Sequence, residues 1–314
     1  MTLAACIQTY VAFKRSLGIR FRSEAAELRA FGRTMGDLDI ADVTPDAVRA
    51  FLAGPGPVTA FWRQKWIILR GFYRFTLSRG FAATCPVPVT PPRFPPPLTP
   101  YIYSVEELTR LLAATDTLTE PRCPLRALTV RTLLLLLYGT GMRIGEALAL
   151  TLHDVEVGDS LVTVRDTKFF KTRLVPTGPR LTQALIAYVA RRRHLPLPAG
   201  DASAFFATRT GHSVCYDDAN RLFGRVRRHA GIHRDTGARY QPRLHDLRHT
   251  AAVHRLIAWY QAGADVQRLL PHLATYLGHV DIASTQRYLS MTPALLHEAS
   301  QRFAQYAQPE ARHD

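Results

Sequence analysis

Cysteine is scarce and scattered in this chain. The four cysteines, none of them in a CxxC pair, are Cys6, Cys85, Cys123 and Cys215. Structural zinc sites and disulfide frameworks both use closely or regularly spaced cysteines. The pattern therefore argues against either kind of site. Since free thiols are typical of reducing compartments, we expect an intracellular protein.

Long apolar runs, nucleotide loops and metal-ligand clusters are missing as well. The most apolar run, residues 133–138, is far shorter than the ~20 residues that a membrane-spanning helix needs. The chain opens with no secretory signal. It contains no GxxxxGK[ST] phosphate loop, no carboxylate cluster and no metal-ligand spacing. We therefore expect a soluble, cytoplasmic protein with no membrane partner, no metal and no other cofactor.

Acidic residues are too few to balance the basic ones. The chain has 40 lysines and arginines against 25 acidic residues, a net charge of +15, and its pI is about 10.2. So many positive charges repel one another within the protein, which implies a polyanionic partner, and nucleic acid is the leading candidate. Only four of the basic residues are lysines. Arginine richness also follows from genomic base composition, so by itself it identifies no function.

The sequence predicts two domains and a linker. At 314 residues the chain is long enough for two hydrophobic cores. Residues 1–84 read as a four-helix domain, the third helix opening with Thr44 and Pro45. Residues 85–100 contain eight prolines, which favour a semi-rigid linker over the alternative, a peptide ligand for an aromatic groove. Residues 101–314 form the second domain, which begins with a capping box at Ser104 and Glu107.

The fourth predicted helix, residues 58–79, has an apolar and a basic face. The apolar face carries Trp62, Trp66, Leu69, Tyr73 and Leu77, which we interpret as core. The other face carries Arg63, Arg70 and Arg74. Given the overall charge, we interpret these arginines as contacts to a DNA backbone, and a solvated basic face is the alternative.

Residues 161–176 alternate apolar and polar side chains about a turn, which predicts a β-hairpin. Lys168 and Lys171, two of the chain's four lysines, lie near that turn. An ammonium can release a proton when its pKa is lowered, whereas a guanidinium effectively cannot. In an arginine-dominated chain, lysine at this place indicates a need for proton transfer.

Phosphate-binding side chains occur at two places in the second domain. In TGMRIGE, Arg143 opens a helix, and Glu146 lies one turn on, where it can hold the arginine by a charge-assisted hydrogen bond. A leucine-rich helix, predicted to end at Gly139, precedes this segment. Further on, His245 and Arg248 lie three residues apart at the start of a helical pattern, and so share one face.

A histidine and a tyrosine follow in the same region. The segment LGH ends another helical pattern at His279, and Tyr288 comes nine residues later, after a cluster of Asp281, Ser284 and Thr285 that can cap the next helix. Isolated histidines and tyrosines are usually packing residues. Here the spacing of HxxR, LGH and the tyrosine, combined with the upstream arginine, indicates a phosphate-directed site.

This set of motifs resembles the tyrosine recombinase, or phage integrase, family. The motif resemblance covers about the last two thirds of the chain. It implies six catalytic residues: Arg143, Lys168, His245, Arg248, His279 and Tyr288. It further implies a mainly α fold, in which an N-terminal four-helix core-binding domain precedes a mixed α+β, mostly helical catalytic domain. The two domains of such a protein are expected to close around double-stranded DNA.

The resemblance also implies a reaction. Tyr288 would form a 3′-phosphotyrosyl bond and release a 5′-hydroxyl, so that strands are cut and rejoined without ATP or metal. The expected assembly is a homotetramer, or a hetero-assembly with related recombinases, on synapsed sites in the nucleoid of a bacterium. The biological setting would be an integrase, a transposon or a Xer-like system.

Departures from the family pattern leave alternatives open. The pattern GKGxKxR appears here without its glycines, so Lys171, which we otherwise interpret as a contact to DNA, remains a substitute for Lys168. Pro271 is expected to interrupt the helix before His279. The last predicted helix, residues 293–307, docks either on a neighbouring protomer or on its own domain. Two other functions remain: a type IB topoisomerase, and a catalytically silent DNA-binding relative.

Overall fold

The computed structural model describes residues 1–53, 58–94, 98–165, 172–234, 240–279, 281–290 and 295–301. Contacts between residues divide the chain into two compact units, of which the first is Met1–Leu98 and the second begins at Thr99. Both units are mainly helical, and the second also contains a small antiparallel sheet. The predicted fold class, mainly α with a mixed second domain, is confirmed. None of the helices in these described ranges is long and apolar enough to cross a membrane.

Within its described residues, the first unit contains four α-helices: α1 (Leu3–Ser16), α2 (Arg22–Met35), α3 (Pro45–Leu52) and α4 (Ala60–Ser78). The predicted start of α3 is confirmed, since the Thr44 side chain accepts from the Ala47 amide and Pro45 occupies the first turn. Aromatic side chains supply much of the core, with Phe31, Phe72 and Tyr73 fully buried. Their burial joins α2 and α4 around one apolar centre.

The faces of α4 agree with the prediction except at one end. Leu69 and Tyr73 are buried, but Leu77 is exposed because Phe75 and Thr76, not Leu77, form the buried face in the last turns of the helix. Trp66 donates from its indole nitrogen to the Pro88 carbonyl oxygen at 2.9 Å. The first part of the proline-rich segment is therefore bound to α4.

The described part of the second unit contains α5 (Val105–Ala113), α6 (Arg126–Thr140), α7 (Ile144–Leu148), α8 (Pro179–Arg193), α9 (Tyr216–His229), α10 (Asp246–Gln261), α11 (Val266–Leu277) and α12 (Ala283–Gln286). Residues 295–301, which fall within the last predicted helix, are helical as well. Both halves of the predicted capping box at Ser104 and Glu107 are present. Helix α6 is buried along most of its length and packs against α8 and α10. It is the central helix, so its end sets the position of the segment that carries Arg143.

Three short strands form the sheet in the order β1 (Val155–Glu156), β2 (Leu161–Val164) and β3 (Arg173–Pro176). Strands β2 and β3 are antiparallel, with Val162 opposite Val175 and both side chains buried. The two strands of the predicted hairpin are confirmed. The turn between them, with Lys168 and Lys171, lies outside the described residues.

Two expected helix ends are wrong. Helix α6 continues through Gly139 to Thr140 and ends at Gly141, whose φ of 62° is the left-handed conformation that closes a helix. Pro271 lies inside α11 and does not interrupt it. The helix buries Val266 and Leu270 before the proline and Leu273 and Leu277 after it, and this packing offsets the lost backbone hydrogen bond.

Candidate active site

Arg143 occupies the N-cap position of α7, directly after the turn at Gly141. Its Nη1 donates to Glu146 Oε1 at 2.9 Å, and its Nη2 donates to the Gly278 carbonyl oxygen at 3.1 Å. Since the side chain remains 41% exposed, the guanidinium can still meet a ligand from solvent. Arg143 therefore joins α7 to the turn that precedes His279.

Glu146 is shared by two arginines. Besides Arg143, it accepts two bonds from Arg173, Nη2 to Oε2 at 2.7 Å and Nη1 to Oε1 at 3.2 Å. Only 10% of the Glu146 side chain and 13% of the Arg173 side chain are exposed. Burial raises the pKa of Glu146, but the hydrogen bonds and charges of the arginines outweigh it and lower that pKa to about 2. The carboxylate is thus ionised at every physiological pH.

Arg248 is the buried cation of the site. It lies in the first turn of α10 and is 3% exposed. Its Nη1 donates to the Gly141 carbonyl oxygen at 2.6 Å, while its buried Nη2 has no hydrogen-bond partner within the described ranges. Burial, followed by repulsion from Arg143, lowers the Arg248 pKa to about 10. A buried guanidinium with an unused donor suits an incoming anion.

His245 precedes α10 at its N-cap position. Its ring packs edge to face against the ring of His249, with 4.9 Å between centroids. Partial burial and the charge of Arg248 both lower the His245 pKa. Burial and His245 lower the His249 pKa to about 4. Both imidazoles are therefore neutral at pH 7 in the absence of a bound anion.

His279 follows the left-handed Gly278 that ends α11. Its Nδ1 lies 2.6 Å from the hydroxyl oxygen of Thr285, which is completely buried. Burial lowers the His279 pKa to about 4, and Arg248 and Arg143 act in the same direction. The predicted cap residue Asp281 does accept from the Ser284 amide, at 2.9 Å. Thr285, in contrast, holds the histidine.

Tyr288 lies in a 3₁₀ turn, residues 287–290, after α12. Its ring is stacked on His279, with centroids 6.1 Å apart and planes 21° apart, and lies 5.6 Å from the ring of His249. The residue is only 3% exposed. Burial raises the Tyr288 pKa, and the positive charge of Arg248 partly opposes that increase. The phenol is thus neutral and close to the buried guanidinium.

The structure brings together five of the six residues predicted to be catalytic: Arg143, His245, Arg248, His279 and Tyr288. The sixth, Lys168, and its substitute Lys171 lie outside the described residues. Tyr276, the tyrosine that precedes Tyr288 in the sequence, points elsewhere, since its hydroxyl donates to the carbonyl oxygens of Pro176 and Gly139 at 3.2 and 3.4 Å.

The predicted DNA-contacting arginines of α4 belong to the first unit. Arg63, Arg70 and Arg74 are all exposed. Arg70 lies over the ring of Trp66 at 4.8 Å and Arg63 over the ring of Phe94 at 5.4 Å. Stacking on aromatic rings restricts these side chains and leaves their N–H groups available for ligands.

Two residues of the site were missed in the sequence. Arg173 is the last residue of the KFFKTR segment, and His249 directly follows Arg248. The signal for Arg173 was its place in the family pattern, and the signal for His249 was its position beside the HxxR pair. Where the chain is described, no group of three or more His, Cys, Asp or Glu side chains is arranged to hold a metal ion.

Comparison with known proteins places this arrangement in a family. The model of the phage integrase family matches residues 103–294, more than half of the chain. A protein of Sinorhizobium fredii, y4rB, whose name assigns it to the integrases and recombinases, is 34% identical over 306 residues and covers 96% of both chains. The tyrosine recombinase XerD of Corynebacterium glutamicum is 33% identical over 74% of this chain and 70% of its own length.

A solved structure shares the fold. The lambda integrase tetramer bound to a Holliday junction matches with a TM-score of 0.64 and 18% identity, over 92% of this chain and 77% of that one. The matched family model spans every residue of the site described above. The chain therefore belongs to the phage integrase family and is a tyrosine-type, site-specific DNA recombinase.

Proposed function

We propose that Tyr288 is the nucleophile of this recombinase. Its phenolic oxygen attacks the scissile phosphorus of DNA and forms a 3′-phosphotyrosyl bond, while the bond to the 5′-oxygen breaks. The 5′-oxygen takes up a proton and leaves as a hydroxyl, which can later reverse the step on another strand. The observation that carries this proposal is the placement of the Tyr288 ring beside the buried, incompletely bonded guanidinium of Arg248.

The two arginines stabilise the negative charge that develops on the phosphate. Arg248 offers its unused Nη2, and Arg143 offers the exposed side of its guanidinium. Preorganised donors of this kind contribute most where charge appears only in the transition state. His245 and His279, both neutral at pH 7, donate or accept hydrogen bonds and transfer protons. Glu146 supports this arrangement by holding Arg143 in place.

Tyr288 must become more accessible before it reacts. At 3% exposure its oxygen cannot meet a phosphate on a duplex, and its raised pKa keeps the phenol protonated. The short helix α12 and the 3₁₀ turn that carry Tyr288 contact the rest of the unit through the His279–Thr285 hydrogen bond and through the packing of Tyr288 against α10 and α11. We propose that binding of DNA moves this segment toward the scissile phosphate.

The leaving 5′-oxygen needs a proton donor. We assign this role to Lys168, with Lys171 as the alternative, because an ammonium near two guanidiniums has a lowered pKa and releases a proton readily. Both lysines precede β3, whose first residue, Arg173, bonds to Glu146 of the site.

Double-stranded DNA is the proposed substrate and partner. The net charge of +15 supports it, as does the name of the structural neighbour, which describes a tetramer on a Holliday junction. Residues 1–84 serve as the core-binding domain, with Arg63, Arg70 and Arg74 on the DNA backbone. Residues 85–100 are the linker, and the active assembly is a homotetramer or a hetero-assembly with related recombinases. We place this reaction in the cytoplasm, at the nucleoid of a bacterial cell.

The test uses a labelled pool of nicked duplexes of randomised sequence, from which covalent adducts are captured under denaturing conditions. The wild-type protein should capture DNA, and Tyr288→Phe should bind the pool equally well yet form no adduct. Tyr276→Phe is the matched control, since it removes a phenol of the same unit whose hydroxyl bonds, among the described residues, to backbone carbonyl oxygens. Adducts that survive in Tyr288→Phe, or that vanish instead in Tyr276→Phe, would refute the assignment.

A further inference from the structure

Arg173 is nearly buried and belongs to a hydrogen-bonded group that includes Glu146 and Arg143. Each oxygen of the Glu146 carboxylate accepts one bond from Arg143 and one from Arg173: Oε1 from the Nη1 of both arginines, and Oε2 from the Arg143 amide and Arg173 Nη2. The three side chains form one hydrogen-bonded group, and two of them are nearly buried.

The charges of this group matter for Arg143. Glu146 alone, 2.9 Å from the Arg143 guanidinium, would cancel most of the field that Arg143 projects toward a phosphate. Arg173 adds a second positive charge that bonds to both oxygens of the same carboxylate. The group therefore keeps a net positive charge, which is available at the exposed side of Arg143.

Arg173 also touches the turn that carries His279. Its Nε donates to the Tyr276 carbonyl oxygen at 3.3 Å. A Cβ atom at Gly278 would come within 2.8 Å of Arg173 Nη1, so any larger residue here would displace this guanidinium from its present position. Arg143 donates to the Gly278 carbonyl oxygen at 3.1 Å. Arg173, on β3, and Arg143, at the start of α7, thus both donate to the turn at the end of α11.

We infer that Arg173 is a positioning residue for the strand-cleavage reaction: it neutralises Glu146 and so leaves the charge of Arg143 free to act on the scissile phosphate. The inference rests on the proposed function, since it assigns Arg143 to the phosphate. It predicts that the charge of Arg173 matters for the rate of cleavage. A purely structural ion pair would matter only for folding.

Neutral and charged replacements separate these two roles. The measurement is the single-turnover rate of adduct formation at saturating protein, on the nicked duplex that the wild-type protein captures most efficiently. We expect Arg173→Met to slow this rate by ~100-fold, as for a displaced catalytic group, with DNA affinity changed by less than about 3-fold because nonspecific phosphate contacts elsewhere remain. Arg165→Met is the control, since Arg165 also pairs with a carboxylate next to the sheet, that of Asp154, but does not touch Glu146. Its rate should match the wild type.

The decisive comparison is a double variant that also removes the charge of Glu146. In the double variant Glu146→Gln/Arg173→Met, we expect the rate to recover by ~10-fold over Arg173→Met, because no buried negative charge then remains to offset the charge of Arg143. A structural role predicts the opposite, since the double variant has lost still more hydrogen bonds. A double variant as slow as Arg173→Met, or Arg173→Met at the wild-type rate, would overturn the inference.

A second pair of variants covers the case in which Arg173→Met does not fold. Arg173→Lys keeps the charge, and Arg173→Gln keeps a hydrogen-bond donor without the charge, with thermal unfolding as the check on folding. We expect the lysine variant to react ~10-fold faster than the glutamine variant; equal rates would overturn the inference. The proposed function fails separately, if the wild-type protein forms no adduct at all.

Discussion

Because of Glu146, the free energy of unfolding of the second unit should fall as the pH is lowered. Its pKa in the folded protein is about 2, against an ordinary value of 4.5. This difference corresponds to about 3 kcal/mol of stability linked to ionisation. Because the folded pKa is the lower one, the contribution is fully present above about pH 5 and is lost as the pH falls toward 2.

The perturbation is Glu146→Gln, which keeps the shape of the side chain and cannot ionise. The chain has three tryptophans, of which Trp62 and Trp66 are in the first unit and Trp259 is on α10 of the second. Both proteins are therefore made in a Trp62→Phe/Trp66→Phe background, so that the fluorescence of Trp259 reports only on the second unit. Urea unfolding between pH 7 and pH 2 then gives the free energy of unfolding of each protein.

The difference between the two proteins isolates Glu146 from the other carboxylates. Between pH 5 and pH 2, the protein that keeps Glu146 should lose about 3 kcal/mol more free energy of unfolding than the Glu146→Gln protein. Most of that loss should fall below pH 4. Parallel curves would mean that the two arginines do not hold the carboxylate ionised, and the charge argument for Arg173 would fall with them.

Three further outcomes are expected. Gly278→Ala should lower the free energy of unfolding by at least ~1 kcal/mol more than Gly231→Ala, and equal losses in urea unfolding would contradict this. Both glycines have a positive φ, but of these two only Gly278 has a guanidinium at the place of the added Cβ. Lys168→Ala should cleave ordinary DNA ~100-fold more slowly yet cleave DNA with a 5′-bridging sulfur almost normally, because a thiolate leaves without a proton; rescue of Lys171→Ala alone would make Lys171 the donor. The affinity for DNA, measured by anisotropy, should fall steeply with salt as phosphate counterions are released, and a flat response would argue against extensive backbone contacts.

Local signals in the sequence were enough for much of the fold. The capping box at Ser104, the proline start of α3 and the alternation of the hairpin strands each depend on neighbouring residues, and all three are present in the structure. The sequence predicts the end of α6 two residues too early, because Gly139 and Gly141 have the same intrinsic tendency to end a helix. Only packing decides between them: Gly139 lies inside the helix beside Leu181, and Gly141 takes the left-handed turn.

The site was harder to predict where it depends on distant contacts. The pairing of Glu146 with Arg143 follows from helical spacing, but the pairing with Arg173 crosses 27 residues and has no local signal. Continuation of α11 through Pro271 likewise depends on burial on both sides of the proline, which propensity does not include. The structure places five predicted catalytic residues around one point, and their roles stay predictions until adduct formation is measured.

The contact between Thr285 and His279 determines which ring nitrogen can take part in chemistry. Nδ1 is occupied by the buried hydroxyl at 2.6 Å, so only Nε2 remains for a DNA oxygen. Where Thr285 donates to Nδ1, the imidazole proton is fixed on Nε2, and His279 presents a hydrogen-bond donor to the phosphate. A buried threonine with no charge thereby determines which nitrogen of the His279 imidazole stays free, and the direction of its hydrogen bond sets the tautomer of that ring.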